Sequence, residues 1–182
     1  ENLRTTILND NSQIPEIQDN TLWVGATTPA YCWYNNDPTF KPTYGALYNW
    51  YAVNSGKLCP TGWHVPSDDE FNALEIALGM AADQSNVWGW RGTDHGLKIK
   101  NTTGWEENGN GTNASGLSAL PGGYRYGLDG IFVWQTTITY WWSATEHDAD
   151  RGWYRRLDSS SAQVYRASTS KKGGKYIRCV RN

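Results

Sequence analysis

From Tyr140 to Asn182 large aromatic and apolar residues alternate with small polar or charged ones. Trp153 and Leu157 are interleaved with Tyr154, Arg156 and Asp158, a serine run fills 159–161, and Val164 precedes a polar stretch that reaches Ser170. A period of two sends successive side chains of an extended chain to opposite faces, so the pattern calls for strands with one face packed and the other free. Strands are expected at 63–65, 140–143, 152–157, 163–166 and 175–180, the last three as an antiparallel ladder. On this reading Trp153, Arg155 and Leu157 are buried, and Tyr154, Arg156 and Asp158 are exposed together. Exposed Tyr and Arg beside Ser suit a contact surface, with aromatic anchors among adaptable polar neighbours. An ordinary polar sheet face is the plainer alternative.

The clearest helix runs from Ser67 to Leu78. Ser67 and Glu70 form an S-x-x-E capping box, Asp68 and Asp69 suit the positive end of the helix dipole, and Gly79 is placed to end it. Phe71, Leu74, Ala77 and Leu78 fall on one face, which is expected to pack on the core. A weaker helix, beginning near Tyr44 and including Asn49 to Val53, has Gly45 and its aromatic content against it. Elsewhere short apolar pieces are broken by Gly, Asn, Ser and Thr. One or two helices on a mostly antiparallel, loop-rich sheet make an α+β pattern in one domain spanning 1–182, with 182 residues enough to bury a core.

Eleven Trp and eleven Tyr against three Phe and one Met mean that most aromatic area carries an N–H or O–H needing a partner when buried. The net charge of −2 hides two unequal parts: 151–182 hold nine basic residues and one acid, and 1–150 hold seven basic and seventeen acidic. The plain explanation is that the basic tail pairs with the acidic body; the sharper one is a positive face for an anionic partner such as an acidic glycan. No dense basic run or nucleic-acid motif occurs, which argues against a nucleic-acid partner. No apolar run approaches the roughly 18 residues that cross a bilayer, so no membrane insertion is expected in this segment. The abrupt start at Glu1 suggests a piece of a longer exported or virion-borne polypeptide.

Cys32, Cys59 and Cys179 allow three single disulfides. Cys59 with Cys179 is favoured because both sit beside expected core strands, and closing so long a loop stabilises by about 4–5 kcal/mol in the entropic account; three buried thiols are the alternative. His64, His95 and His147 form no zinc motif, and no strained G-x-S-x-G turn is present. No catalytic residue and no metal ligand is therefore assigned. Asn35–Asp37 and the 108–113 loop offer oxygens to a structural calcium ion, but few are carboxylates and Asn-Gly sequences more often form turns, so no cofactor is expected.

Six motifs carry a family resemblance: Tyr31-Cys32-Trp33-Tyr34-Asn35-Asn36-Asp37, Tyr44-Gly45-Ala46-Leu47-Tyr48-Asn49-Trp50-Tyr51-Ala52-Val53, Cys59-Pro60-Thr61-Gly62-Trp63-His64-Val65-Pro66, Ser118-Ala119-Leu120-Pro121-Gly122-Gly123-Tyr124-Arg125, Trp141-Trp142-Ser143-Ala144-Thr145-Glu146 and Arg178-Cys179-Val180. With these, in this order, the chain resembles the Fibrobacter succinogenes major paralogous domain nearly end to end. The resemblance implies a C-type lectin-like fold, related to the sulfatase-modifying enzymes, in surface and secreted proteins of gut bacteria. It implies a ligand-binding module rather than an enzyme. An oxidase of the sulfatase-modifying type would need a reactive cysteine pair in the C-terminal part, where only Cys179 lies.

Similar domains serve as variable proteins of diversity-generating retroelements, including phage receptor-binding proteins. In tails of that kind, positions matching Trp153, Arg155, Leu157, Val164, Arg166, Lys171, Lys172, Gly174, Arg178 and Cys179 are framework. The resemblance then makes 140–182 the candidate variable region and Asp148, Arg151, Tyr154, Arg156, Asp158, Ser159, Ser161, Tyr165, Ala167, Ser168 and Ser170 the candidate ligand-binding residues. The expected partner is a protein or glycan on a cell surface, and the expected location is extracellular, on a bacterial surface or a phage particle, where a trimer would suit a fibre tip. A structural or adhesive surface domain without a diversified site is the alternative.

Overall fold

The alternating tail becomes the centre of a six-stranded sheet. In the computed structural model, which describes residues 1–182, the helices are α1 (Asn20–Gly25), α2 (Lys41–Tyr44), α3 (Trp50–Asn54), α4 (Asp68–Ala77), α5 (Ala82–Ser85) and α6 (His95–Ile99). The strands are β1 (Tyr31–Cys32), β2 (Leu47–Tyr48), β3 (Trp63–His64), β4 (Gly89–Arg91), β5 (Gly122–Arg125), β6 (Phe132–Gln135), β7 (Ile138–Glu146), β8 (Arg151–Asp158), β9 (Val164–Ser170) and β10 (Val180–Arg181). The large sheet has the order β4-β9-β8-β7-β5-β6, antiparallel except where β5 meets β7. Two small antiparallel pairs, β1 with β2 and β3 with β10, complete an α+β architecture.

β8 and β9 pair as expected, but the segment 175–180 does not join their ladder, which is flanked by β7 and β4. Tyr176 and Ile177 are successive and both fully buried, so this segment does not alternate between a core face and solvent. It threads through the core instead. Lys175 N donates to Tyr48 O at 3.0 Å, Tyr176 N donates to Tyr140 O at 3.1 Å, and only Val180–Arg181 forms a strand, against β3. The helix expected from Tyr44 is also broken. Gly45 has φ +82°, and a Cβ there would lie 2.7 Å from Leu3 O, so the chain turns, extends through β2 and restarts as α3. Asn49 caps that helix, its side chain accepting from Ala52 N at 3.1 Å.

Helix α4 forms where the capping box places it. Ser67 Oγ accepts from Glu70 N at 3.2 Å, and Ser67 N donates to Glu70 Oε2 at 2.8 Å. Its buried face, however, is polar. Asp68, Asn72 and Glu75 are buried, whereas Phe71 and Leu74 are half-buried and Ala77 is exposed. The reason lies in the basic residues of the tail. Arg155 of β8 donates to Asp68 Oδ1 at 2.5 Å, Glu75 Oε1 at 2.9 Å and Asn72 Oδ1 at 2.8 Å. Arg166 of β9 donates to Asp68 Oδ2 at 2.6 Å, and Arg91 of β4 pairs with Glu75 Oε2 at 2.5 Å. Three strands are thus tied to one helix by paired charges, hydrogen-bonded for Arg155 and Arg166, and Lys171 pairs with Glu146 elsewhere. Of the nine basic residues of the tail, Arg155, Arg166 and Lys171 pair with acids of the body. Burial works against the charge of Asp68, but its bonds to Arg166 and the charge of Arg155 outweigh that and hold its carboxyl below the ordinary value. For Glu75 burial wins over Arg155 and Arg91, and its carboxyl is pushed up.

The core is aromatic, and the indole N–H groups of four of its tryptophans meet backbone carbonyls. Trp23 donates to Lys172 O at 2.8 Å, Trp50 to Ser143 O at 2.9 Å, Trp105 to Ala119 O at 2.9 Å and Trp142 to Tyr48 O at 2.9 Å. Each bond joins segments distant in sequence, which removes the cost of a buried, unpaired donor. Trp50 also explains Gly152: a Cβ there would lie 2.4 Å from the indole ring. Gly152→Ala is expected to destabilise by about 1–3 kcal/mol, the usual cost of overpacking, in urea unfolding; a loss under about 0.5 kcal/mol would show that Trp50 is not fixed here.

Candidate ligand-binding face

One face of the large sheet carries a row of aromatic and basic side chains set by strand register. Trp90 of β4 lies opposite Tyr165 of β9, Tyr165 opposite Arg156 of β8, and Arg156 opposite Tyr140 of β7. Tyr140 stacks at 4.4 Å from Tyr124 of β5, which faces Trp134 of β6 at 5.5 Å. Every strand of the sheet contributes. The Arg156 guanidinium sits within 6 Å of the rings of Trp90, Trp134, Tyr140 and Tyr165 and is paired with Asp158.

A cleft of about 280 Å³ opens in this row. Tyr124, Tyr140 and Tyr154 form its floor with Lys175, and Tyr126, Leu128 and Trp134 rise at the rim. Burial pushes the Tyr124 phenol up to about 12, and those of Tyr140 and Tyr154 further, so all three are neutral at ordinary pH. No acidic side chain lines the cleft. Trp134 is half exposed and has φ +62°, a left-handed conformation that a bulky residue rarely adopts. That conformation holds an indole over the cleft mouth. Since glycine occupies this region without the penalty of a Cβ, Trp134→Gly is expected to be about 1 kcal/mol more stable than Trp134→Ala in thermal or urea unfolding; equal stabilities would contradict the backbone assignment.

Of the residues expected from sequence, the fold brings Tyr154, Arg156, Tyr165 and Ser170 to the row or its cleft. Asp158 accompanies them as the partner of Arg156. The expected exposure is corrected in several places. Tyr154 is only 9% exposed, packed between Tyr140 and Tyr165 with the Lys175 ammonium against its ring, and Ala167 and Asp158 are buried as well, Asp158 paired with Arg156. Trp153, expected in the core, is half-buried on the opposite face, where Arg166 lies 3.8 Å from its ring and Trp88 meets it edge-on. Asp148 and Arg151 are exposed at the β7–β8 turn, Ser168 lies on the Trp153 side of the sheet, and Ser159 and Ser161 lie at the β8–β9 turn, where Ser159 is buried against Glu107. These five do not converge on the cleft.

The Fibrobacter succinogenes major domain family model matches residues 1–181 of this chain. The chain belongs to that family. Neither the curated proteins nor the solved structures provide a match. In this Fibrobacter succinogenes major domain, Cys59 and Cys179 are joined by a disulfide, and Cys32 remains free and buried. Burial pushes the Cys32 thiol up to about 12, so it is not a ready nucleophile. Asp37 caps a turn by accepting from Thr39 N at 2.9 Å, and Asn110 accepts from Trp105 N at 3.0 Å. No group of three or more His, Cys, Asp or Glu side chains is placed to hold a metal ion, and no helix is long and apolar enough to cross a membrane.

The residues that the sequence did not flag for binding are Trp90, Tyr124, Tyr126, Leu128, Trp134, Tyr140 and Lys175. A signal existed in the i, i+2 pairs Tyr124/Tyr126 and Tyr140/Trp142, which place aromatic rings on one strand face. Trp90 and Trp134 sit in turn-rich stretches that read as loops, and nothing local marks them.

Proposed function

We propose that this domain is a non-enzymatic recognition module that binds a protein or glycan through the aromatic row and its cleft, on an extracellular bacterial surface or a phage particle. The carrying observation is the register that sets Trp90, Tyr165, Arg156, Tyr140 and Tyr124 side by side, with Trp134 exposed over a cleft. Rigid amphipathic rings around an arginine are the composition of interaction hot spots. The absence of an accessible thiolate speaks against the oxidase alternative, and the disulfide suits an oxidising compartment. A C-type lectin-like fold is the fold we propose for the family match. Wild-type protein and the Trp90→Ser/Tyr165→Ser/Trp134→Gly variant, compared on glycan and surface-protein arrays, test this reading: probes held by the wild type are expected to be lost in the variant.

A second reading adds diversification by a retroelement. It is favoured by Tyr154, Arg156 and Tyr165, candidate variable positions that reach the row. Its test is the flanking DNA, searched for a near-copy of codons 140–182 differing only at template adenines. Finding that copy would support a receptor-binding role; its absence would leave a fixed binding or adhesive module.

A further inference from the structure

Lys175 is 1% exposed and lies at the bottom of the aromatic cleft. Its ammonium is 4.0 Å from the ring centre of Trp142 and 5.2–5.3 Å from those of Tyr124, Tyr140 and Tyr154. The other buried cations have oxygen partners. Lys100 donates to Asp158 O at 2.9 Å and Ser161 O at 3.0 Å, Arg125 donates to Gly130 O at 2.8 Å and Gln18 O at 2.7 Å, and Arg155 and Arg166 meet Asp68. Lys175 donates to none, and burial alone, with no neighbouring charge, pushes its amine down to about 7. Ring faces offset part of the cost of a desolvated cation, yet a methionine would fill the same space without that cost. The charge meets ring faces and no anion.

It does have access. Gly173 sits above the amine, where a Cβ would lie 2.8 Å from Nζ, and Gly127 sits beside Gly173, where a Cβ would lie 2.9 Å from Gly173 N. A side chain at position 173 would crowd the amine, so the glycine there leaves Nζ free towards the cleft that Tyr126 and Trp134 also line. A group that meets Nζ there has a definable chemistry. The second cation, Arg156, is already paired with Asp158, so the cleft is short of one negative charge rather than the two or more of a phosphate monoester. The rim offers ring faces to an apolar surface, and Thr169 and Ser170 offer hydroxyls to its polar edge. A pyranose with a carboxylate has an apolar C–H face, a polar edge and one negative charge.

We infer that the cleft takes a carboxylate-bearing sugar at the end of a glycan, with Lys175 as the ion-pair partner of the carboxylate and Trp134 stacked on the ring. This rests on the assignment of the aromatic row to recognition. Of the groups facing Lys175, Tyr124 of β5, Tyr140 of β7 and Tyr154 of β8 stay neutral across neutrality, and Arg156 stays paired and charged. Affinity therefore follows the lysine, strongest where it is protonated and declining as pH rises above about 7.

The experiment presents glycans ending in uronic or other carboxylated sugars beside the same glycans with the carboxyl reduced to an alcohol, to wild type, Lys175→Met and Trp134→Gly. Carboxylated probes are expected to bind wild type at least tenfold more tightly than their reduced counterparts, to lose that margin in Lys175→Met, and to weaken between pH 6.5 and 8.5. Lys175→Met is also expected to melt at a higher temperature than wild type. Because the folded-state amine titrates below the unfolded one, that advantage is full below about pH 7 and shrinks as pH rises towards 10. Lys175→Gln gives the same binding readout should the Met variant fail to fold. Equal binding of carboxylated and reduced probes, lost in Trp134→Gly, would overturn the acidic-sugar assignment and leave the recognition face standing. Retention of neither probe by wild type would also overturn it, and protein ligands would then carry the broader reading.

Discussion

Arg155→Ala is expected to lower the stability of the domain by about 3–5 kcal/mol in urea unfolding, the usual cost of removing one partner from a buried ion pair. Arg155 is 1% exposed and touches Asp68, Asn72 and Glu75 together, so its loss deprives two buried carboxylates of a partner at once. The damage is expected to be unequal. Asp68 keeps Arg166, and Glu75 keeps Arg91, but Asn72 Oδ1 and the first oxygen of each acid lose their strongest donor. Burial already pushes the Glu75 carboxyl up against the pull of Arg155 and Arg91, so the variant is expected to protonate Glu75 at higher pH than wild type. A loss below about 1 kcal/mol would mean that the network is worth no more than surface pairs.

Removing the disulfide, as Cys59→Ala/Cys179→Ala, is expected to cost about 5 kcal/mol in the chain-entropy account, because the bond joins residues 120 apart in sequence. It closes a loop that contains α4 and the whole large sheet, from just before β3 to just before β10. Guanidinium unfolding of wild type and double variant checks this, and the remaining thiol, buried Cys32, does not confuse the comparison by forming a new bond in the native state. A cost under about 1 kcal/mol would indicate that the unfolded chain is already restrained.

Local signals in the sequence carried well. The capping box at Ser67 and Glu70 and the pairing of β8 with β9 across a short turn depend on neighbours in the chain, and both are present. Pairwise outcomes set by distant segments carried poorly. Phe71 and Leu74 mark an apolar helix face, but the helix buries Asp68, Asn72 and Glu75 because three arginines from three strands converge there. The alternation of 151–158 separates the two faces correctly, yet it cannot tell that Tyr140 and Tyr165 of the neighbouring strands, with Lys175, pack against Tyr154 and bury it. Lys175 was legible only as a basic residue in a strand-like run; its place beneath four rings exists only in three dimensions.

The proposed recognition face is tested most directly by a face-resolved binding measurement. The strongest probe found for wild type is titrated against single variants of the aromatic row, Trp90→Ser, Tyr165→Ser and Trp134→Gly, and against Trp88→Ser and Ile76→Ser, which alter exposed apolar residues outside the row. At least one row variant is expected to weaken binding by more than about 2 kcal/mol, as hot-spot residues do, with Trp88→Ser and Ile76→Ser close to wild type. Full binding by all three row variants, with loss in Trp88→Ser or Ile76→Ser, would place the site elsewhere and contradict the account.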